Sequence, residues 1–279
     1  MSELLSSFFS AYSLGLLAAL LLLGAAVGFA AGLLGIGGGM LLVPFLTYLF
    51  SHRAFPSEHV VHMAIATSLS TILFTSLSSV WAHHQRGAVL WPVVRMLAPG
   101  IVLGSLLGAQ IAGYMSTTVL ALFFAIFVTF SATQMLLDKK PKPSRELPRA
   151  WGMLGAGAGI GTLSSLVGAG GGFISVPFMT WCNVTIHRAV ATSAALGFPI
   201  ALAGALGYVV AGWSLPAMPA GTLGYINLPA LFCIVSTSIL FAPLGARTAH
   251  AMPVKKLKRV FALLLYVLAA YMLYKGLRS

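Results

Sequence analysis

Charged residues, and acidic residues in particular, are scarce in this sequence. Only 4 of its 279 residues are aspartate or glutamate, and charged residues of both signs make up 7% of the chain, against about 25% in a soluble domain. Hydrophobic residues make up 59%, and the mean hydropathy is +0.97. Because no stretch is long and polar enough to form a soluble domain, we predict a membrane protein whose main partner is the lipid bilayer.

The few carboxylates do not suit cation chemistry. All four fall in predicted loops or tails: Glu3, Glu58, Asp138 and Glu146. Cation pathways and carboxylate proton relays place acidic side chains inside the membrane, so neither is expected. Cys182 and Cys233 lie in apolar context without a CxxC motif or a histidine at ligand spacing, so no metal or other cofactor is predicted. The phosphate-binding motif of nucleotide-driven pumps is also missing, which argues against direct use of ATP.

The net charge of +12 does not indicate a nucleic-acid partner. The basic residues are not interleaved with aromatic residues on one face. They sit in short loops, where the positive-inside rule places them in membrane proteins.

Apolar runs near the 20 residues that span a bilayer recur along the whole chain. The clearest cover residues 14–34, 60–81, 93–111, 120–137, 189–212, 228–245 and 260–274. These runs predict an all-α, polytopic protein that crosses the membrane several times.

Three sequence blocks recur in the same order, which indicates an internal duplication. Residues 35–45 (GIGGGMLLVPF) recur as 168–178 (GAGGGFISVPF), 62–68 as 187–193, and 107–109 as 244–246. The predicted organisation is a first repeat at 1–137, a basic cytoplasmic linker at 138–149, and a second repeat at 150–279. About five helical segments per repeat, an odd number, put the two repeats in opposite orientations. Inverted repeats with interrupted segments are typical of secondary transporters, which bind substrate near the membrane midplane.

The glycine motifs are the predicted interruptions. Short helices are expected at 40–50 and 173–181, starting at two glycine triplets and containing the predicted helix-breaking residues Pro44 and Pro177. The triplets are Gly37, Gly38, Gly39 and Gly170, Gly171, Gly172. A helix N-terminus offers free N–H groups and a partial positive charge, which suit an anion. The segments are either re-entrant or spanning.

Close packing is the alternative role for membrane glycines. The spaced glycines Gly28 and Gly32, and Gly100, Gly104 and Gly108, are interpreted in that way. The triplets differ because three glycines adjoin and a proline follows.

The duplicated Ala-Thr-Ser blocks supply Thr67, Ser68, Thr192 and Ser193. These hydroxyls suit the oxygens of an oxyanion. The alternative is a hydrogen bond to the carbonyl one turn back in the same helix.

Several side chains are candidate proton or anion contacts. His62 and His187 lead the duplicated blocks, and His83 sits at a predicted cytoplasmic helix end; all three could titrate near neutral pH. Arg247 could meet an anion at the cytoplasmic mouth. The alternatives are ordinary helix-end histidines and an arginine that reaches the headgroups.

The segments GLLGIGGGMLLVPFL and SSLVGAGGGFISVPFM, each followed by an A-I/V-A-T-S block, resemble the TauE/SafE sulfite-exporter family over nearly the whole chain. The resemblance implies a transporter of small sulfur-containing or carboxylate anions such as sulfite, sulfonates or sulfoacetate. Matched to the motifs, the implied site residues are Gly37, Gly38, Gly39, Pro44, Thr67, Ser68, Gly170, Gly171, Gly172, Pro177, Thr192 and Ser193. One departure is that Gln110 and Arg247 occupy equivalent positions after the third block.

We therefore expect a secondary transporter, an exporter of a small anion, in the inner membrane. A passive anion channel is the first alternative. An intramembrane enzyme is a weaker one, because it needs a serine–histidine or paired-aspartate constellation at membrane depth. The oligomeric state is left open.

Overall fold

The computed structural model describes residues 13–34, 38–52, 55–137, 145–215, 218–251 and 254–278. Helices account for most of these residues. In chain order they are α1 (Leu14–Leu34), α2 (Gly39–Ser51), α3 (Val60–Gln85), α4 (Trp91–Tyr114), α5 (Thr117–Leu137), α6 (Ala150–Val167), α7 (Gly172–Trp181), α8 (Ile186–Gly212), α9 (Leu228–Ala251) and α10 (Val254–Arg278).

The prediction of a polytopic membrane protein is confirmed by the length and composition of these helices. Of the helices in the described ranges, α1, α3, α4, α5, α6, α8 and α10 are long and apolar enough to cross a membrane. Large apolar side chains such as Leu22, Phe130 and Val267 are exposed on their surfaces. In water such exposure would be costly, whereas lipid covers it.

Equivalent helices of the two halves make equivalent contacts. Five described helices precede the predicted linker and five follow it. The first helix of each half packs on the fourth helix of the other, as α1 on α9 and α6 on α4. The third helices, α3 and α8, pack together, as do the fifth helices, α5 and α10. This pairing supports the duplication, while the opposite orientation of the halves stays a prediction.

The spaced glycines of α4 allow its backbone to approach α6. A Cβ atom added to Gly104 would lie 2.7 Å from the Cα atom of Ala158, and one on Gly108 would lie 2.7 Å from the carbonyl oxygen of Thr162. Gly100 likewise faces the main chain of α6. The predicted packing role is confirmed for these three glycines.

The same close approach occurs between α1 and α9. A Cβ atom on Gly28 would lie 2.5 Å from the Cα atom of Ser238, so the packing role of Gly28 is confirmed too. The surroundings of Gly32 lie outside the described residues.

The all-α prediction is wrong in one detail, a small hairpin between α8 and α9. Strand β1 (Thr222–Leu223) pairs antiparallel with β2 (Ile226–Asn227). Gly224 turns the chain with φ of +55°, a value that glycine adopts readily. The prediction missed the hairpin because it followed long apolar runs, and two-residue strands produce none.

The described end of the linker, residues 145–149, contacts the end of α7. The Arg145 N–H donates to the Trp181 carbonyl at 3.4 Å, and the guanidinium lies 4.7 Å from the centre of the Trp181 ring. Residues 138–144, with most of the basic linker, lie outside the described residues.

We predict that Gly104→Ala will lower the stability of the purified protein, because the new methyl group overlaps main-chain atoms of α6. Overpacking of this kind costs about 1–3 kcal/mol. Thermal unfolding in detergent measures the effect. Gly159→Ala in α6 is the matched control, since a Cβ atom there has nothing within 4 Å and should leave stability unchanged or slightly higher. Equal midpoints for both variants would contradict the close approach of α4 and α6.

Candidate functional site

The two short helices begin where the glycine motifs predicted. Gly38 precedes α2 with φ 66° and ψ −9°, and Gly171 precedes α7 with φ 77° and ψ −8°. Residues with side chains rarely adopt this left-handed conformation. Gly37 lies outside the described residues.

Pro44 and Pro177 do not end these helices. Each lies inside its helix, which continues to Ser51 in α2 and to Trp181 in α7. The assignment of the two prolines as helix breaks is therefore corrected. The interruptions are at the left-handed glycines, because those residues turn the chain before the first helical hydrogen bond forms.

Each short helix starts with main-chain donors that have no acceptor within the helix. In α7 the carbonyl of Gly171 accepts the N–H groups of Ile174 at 3.0 Å and Ser175 at 2.8 Å. The N–H groups of Gly172 and Phe173 come before these bonds and are among the unpaired donors of a helix start. The α2 start has the same arrangement. Both ends therefore carry the partial positive charge of a helix N-terminus.

The two glycine motifs meet on α3. A Cβ atom on Gly39 would lie 2.9 Å from Cδ1 of Ile72, and one on Gly170 would lie 3.5 Å from Cγ2 of the same side chain. The hydroxyl of Ser68 donates to the Gly168 carbonyl at 2.9 Å and, more weakly, to the Gly39 carbonyl at 3.3 Å. Motifs far apart in the sequence thus lie side by side.

The two helix starts differ in accessibility. Gly38, Gly39 and Met40 are buried, and the Gly168 carbonyl presses against Gly39. Gly172 and Phe173 at the start of α7 are only half-buried. The start of α7 is therefore the more exposed of the two helix starts.

Ser193 lies beside α7. Its Oγ atom is 2.7 Å from Oγ of Ser175 in α7, and both side chains are buried. One hydroxyl donates to the other, so one hydrogen of the pair is left for a further acceptor.

Thr67 and Thr192 connect the two halves. Thr67 Oγ1 accepts the N–H of Asn227 at 3.1 Å, just before α9, and Thr192 Oγ1 accepts the N–H of Leu90 at 3.0 Å, just before α4. Each threonine of a third helix thus holds the start of the other half's fourth helix. This is a structural role that the sequence did not suggest, and substrate contact by these threonines stays a prediction.

His62 is buried at the start of α3. Its Nε2 atom lies 2.9 Å from the Ala112 carbonyl and 3.1 Å from the Met115 carbonyl, and its ring stacks on Tyr225 with centroids 5.1 Å apart. An imidazole N–H is favourable at these carbonyls, which end α4. Tyr225 lies in the hairpin outside the spanning helices, and burial raises the pKa of its phenol.

The remaining candidate contacts are not gathered at the glycine motifs. His83 follows Ser68 by fifteen residues in the same helix, about 22 Å along its axis. His187 is exposed in the first turn of α8. The Arg247 side chain lies outside the described residues.

Ser164, in the last turn of α6, was not predicted. It is 1% exposed, and its Oγ atom has no hydrogen-bond partner in the described part of the chain. Its Oγ lies 3.2 Å from the position that a Cβ atom on Gly171 would take. The sequence did contain a signal, since Ser164 stands four residues before the second glycine motif, where the first motif has Ala31.

No metal site is found among the residues that the structure describes: none of their histidine, cysteine, aspartate and glutamate side chains form a group of three or more that could hold an ion.

Comparison with known proteins identifies relatives over almost the full chain. The family model described as "Sulfite exporter TauE/SafE" matches residues 20–272. A Haemophilus influenzae protein named "Probable membrane transporter protein" is 39% identical over 257 residues, which cover 91% of this chain and 97% of that protein. A Methanocaldococcus jannaschii protein, also named as a probable membrane transporter, is 26% identical over 260 residues, covering 92% and 96% of the two chains. No solved structure matches.

We predict that Thr192→Val will destabilise the protein without ligand, because the Leu90 N–H loses its acceptor. An unpaired buried N–H costs about 1–3 kcal/mol, and the half-buried Leu90 should fall at the lower end of this range. Thr192→Ser keeps the hydroxyl and should retain most of the stability. Thermal unfolding and substrate titration of both variants separate the roles: if Thr192→Val weakens only substrate binding, at unchanged stability, the threonine contacts substrate and does not hold α4.

Proposed function

The chain belongs to the sulfite exporter TauE/SafE family of membrane transporters, and from this premise we propose that it exports a small anion by secondary transport. The proposed substrate is a sulfur oxyanion or organosulfonate such as sulfite or sulfoacetate. The proposed location is the inner membrane. The family assignment implies a transporter rather than an enzyme.

The convergence of two helix starts on α3 supports the anion most strongly. Each start contributes a partial positive charge, worth about 0.3–2 kcal/mol to a negative charge, and the more exposed start of α7 offers its N–H donors. A site built from such contacts binds an anion without trapping it, as transport requires. The hydroxyls of Ser175 and Ser193 add neutral donors beside α7.

The distribution of charged side chains agrees with this proposal. Among the described residues, the carboxylates of Glu58 and Glu146 are exposed, so a cation would find no counter-charge at the glycine motifs. The described lysine and arginine side chains are exposed, except for the half-buried Lys275. An anion at the motifs therefore meets helix dipoles and hydroxyls instead of a salt bridge.

Alternating access is the proposed mechanism. The equivalent helices α2 and α7 have different surroundings, since the start of α2 is buried and that of α7 is half-buried. If the repeats are inverted, as predicted, an exchange of these two environments would open the site to the opposite side of the membrane. The paired contacts of Thr67 and Thr192 would then have to be retained or exchanged as the halves move.

A passive channel would use the same site as a transporter, but its flux kinetics would differ. A transporter reconstituted in liposomes should exchange labelled substrate faster when unlabelled substrate is present on the other side, and its flux should saturate. Flux that rises in proportion to concentration, without such exchange, would support the channel.

We predict that purified protein in detergent is stabilised by one or more oxyanions. The panel contains sulfite, sulfate, thiosulfate, sulfoacetate, taurine and lactate, with metal cations as controls. A ligand at 100 times its Kd stabilises the folded state by about 2.7 kcal/mol, which raises the unfolding midpoint. A rise with a cation alone would contradict the anion site.

Gly197→Ala tests where the anion binds. A Cβ atom at this position in α8 would lie 3.5 Å from Cβ of Ser76 and 3.6 Å from the Gly170 carbonyl, both ordinary contacts. We expect unchanged stability and weaker anion binding, because the methyl group occupies space beside the second glycine motif. Substitution of Gly171 is a poorer test, since any side chain there would be strained at φ 77°. Unchanged affinity of Gly197→Ala would place the anion elsewhere.

A further inference from the structure

The two helix starts have the same geometry but different chemistry. A Cβ atom on Gly38 would lie 3.2 Å from Cβ of Ala31, and one on Gly171 would lie 3.2 Å from Oγ of Ser164. Ala31 and Ser164 are also aligned in the sequence repeat, four residues before their motifs. The first half therefore has a methyl group where the second half has a hydroxyl.

Two further differences favour the second half. Ser175 in α7 aligns with Leu42 in α2, and Gly197 in α8 aligns with Ile72 in α3. Ile72 packs closely on Gly39, whereas a Cβ atom on Gly197 would make only ordinary contacts, at 3.6 Å from the Gly170 carbonyl. The second half thus has more hydroxyls beside its short helix, and the start of that helix is the more exposed one.

The Ser164 hydroxyl is free to contact a ligand. Buried hydroxyls in membrane helices usually donate to a carbonyl one turn back, as Ser165 does to the Thr162 carbonyl at 3.0 Å. Ser164 is equally buried, but its Oγ has no partner among the described residues. A buried hydroxyl without a partner is unfavourable, and the oxygen of a bound anion would supply the missing acceptor.

We propose that the anion pocket lies in the second half of the chain alone and that it selects monoanions. The pocket lies at the start of α7, where the hydroxyl of Ser164 and the N–H groups of Gly172 and Phe173 donate to one compact oxyanion group. The inference rests on the proposed anion transport and narrows its substrate class.

The selectivity for monoanions follows from how much positive charge the protein offers to the anion. A helix N-terminus supplies about half an elementary positive charge. The described lysine and arginine side chains are exposed, apart from the half-buried Lys275, whereas Ser164 is buried. The cost of moving an ion out of water rises with the square of its charge, as Born solvation requires. A monoanion is therefore partly balanced here, whereas a dianion keeps most of its charge uncompensated.

The substrate class that fits is a singly charged oxyanion, such as hydrogensulfite or a simple sulfonate. Sulfate and sulfoacetate, which carry two charges, fit less well. Sulfite exchanges its last proton near neutral pH, so its apparent affinity should fall as the pH rises and the monoanion is lost. Methanesulfonate keeps one charge throughout this range and should bind equally at each pH. It thereby controls for titration of His62 and His83 at the two ends of α3.

Titration calorimetry on the full-length, detergent-purified protein tests both the contact with Ser164 and the selectivity for monoanions. The probes are methanesulfonate, sulfate and sulfite across the neutral pH range. Ser164→Ala should weaken methanesulfonate binding roughly tenfold, the effect of losing one hydrogen bond to a charged group. Its stability without ligand should stay equal or rise, because an unpartnered buried hydroxyl is removed.

Two control variants keep the result interpretable. Ala31→Ser introduces a hydroxyl at the equivalent position of the first half and should leave affinity unchanged. Ser131→Ala removes a buried hydroxyl in α5 that donates to the Phe127 carbonyl, far from the motifs in the sequence, and should also leave affinity unchanged.

The outcomes separate this inference from the proposed function. Sulfate binding as tightly as methanesulfonate would overturn the monoanion selectivity. If Ala31→Ser changed the affinity for methanesulfonate as much as Ser164→Ala does, a pocket in the second half alone would be overturned. Recovery of the affinity when Ala31→Ser is added to Ser164→Ala would overturn it too. Anion binding that Ser164→Ala leaves unchanged would overturn the role of Ser164 and leave anion transport standing. No binding of any anion by the unmodified protein would overturn both.

Discussion

A chain inside a bilayer has to pair its main-chain polar groups within the protein, because hydrocarbon offers them no hydrogen-bond partner. The breaks before α2 and α7 are tolerable only where protein surrounds them or a ligand reaches them. Ser68 meets part of this requirement by donating to the Gly168 carbonyl. The N–H groups at the starts of α2 and α7 remain, and in the proposed function the transported anion pairs with those of α7.

Surrounding two helix breaks with protein demands close packing of the longer helices. Glycines such as Gly28 and Gly104 allow main chains to approach, and they do so between the first helix of one half and the fourth helix of the other. Thr67 and Thr192 add hydrogen bonds at the starts of those fourth helices. The halves are consequently interlocked, so any movement of one half must involve contacts made by the other.

The two halves have similar frameworks but different chemistry at their glycine motifs. Ser164 and Ala31 occupy equivalent places beside Gly171 and Gly38, yet only the serine offers a donor. Helix starts are equivalent in both halves, but a usable pocket also needs space and free hydroxyl hydrogens. The second half has the unpartnered hydroxyl of Ser164 and the more exposed helix start.

The membrane-spanning character, the approximate helix bounds and the starts of both short helices at glycine triplets could be read from the sequence, because these depend on local composition and spacing. The sequence did not reveal the hairpin with Tyr225, the partners of Thr67 and Thr192, or the free hydroxyl of Ser164. His62 and His187 occupy matching places in the duplicated blocks, yet one is buried and the other is exposed. Tertiary structure decided these points, because burial and hydrogen-bond partners depend on which distant segments pack against a residue, and repeats with similar sequences can have different neighbours.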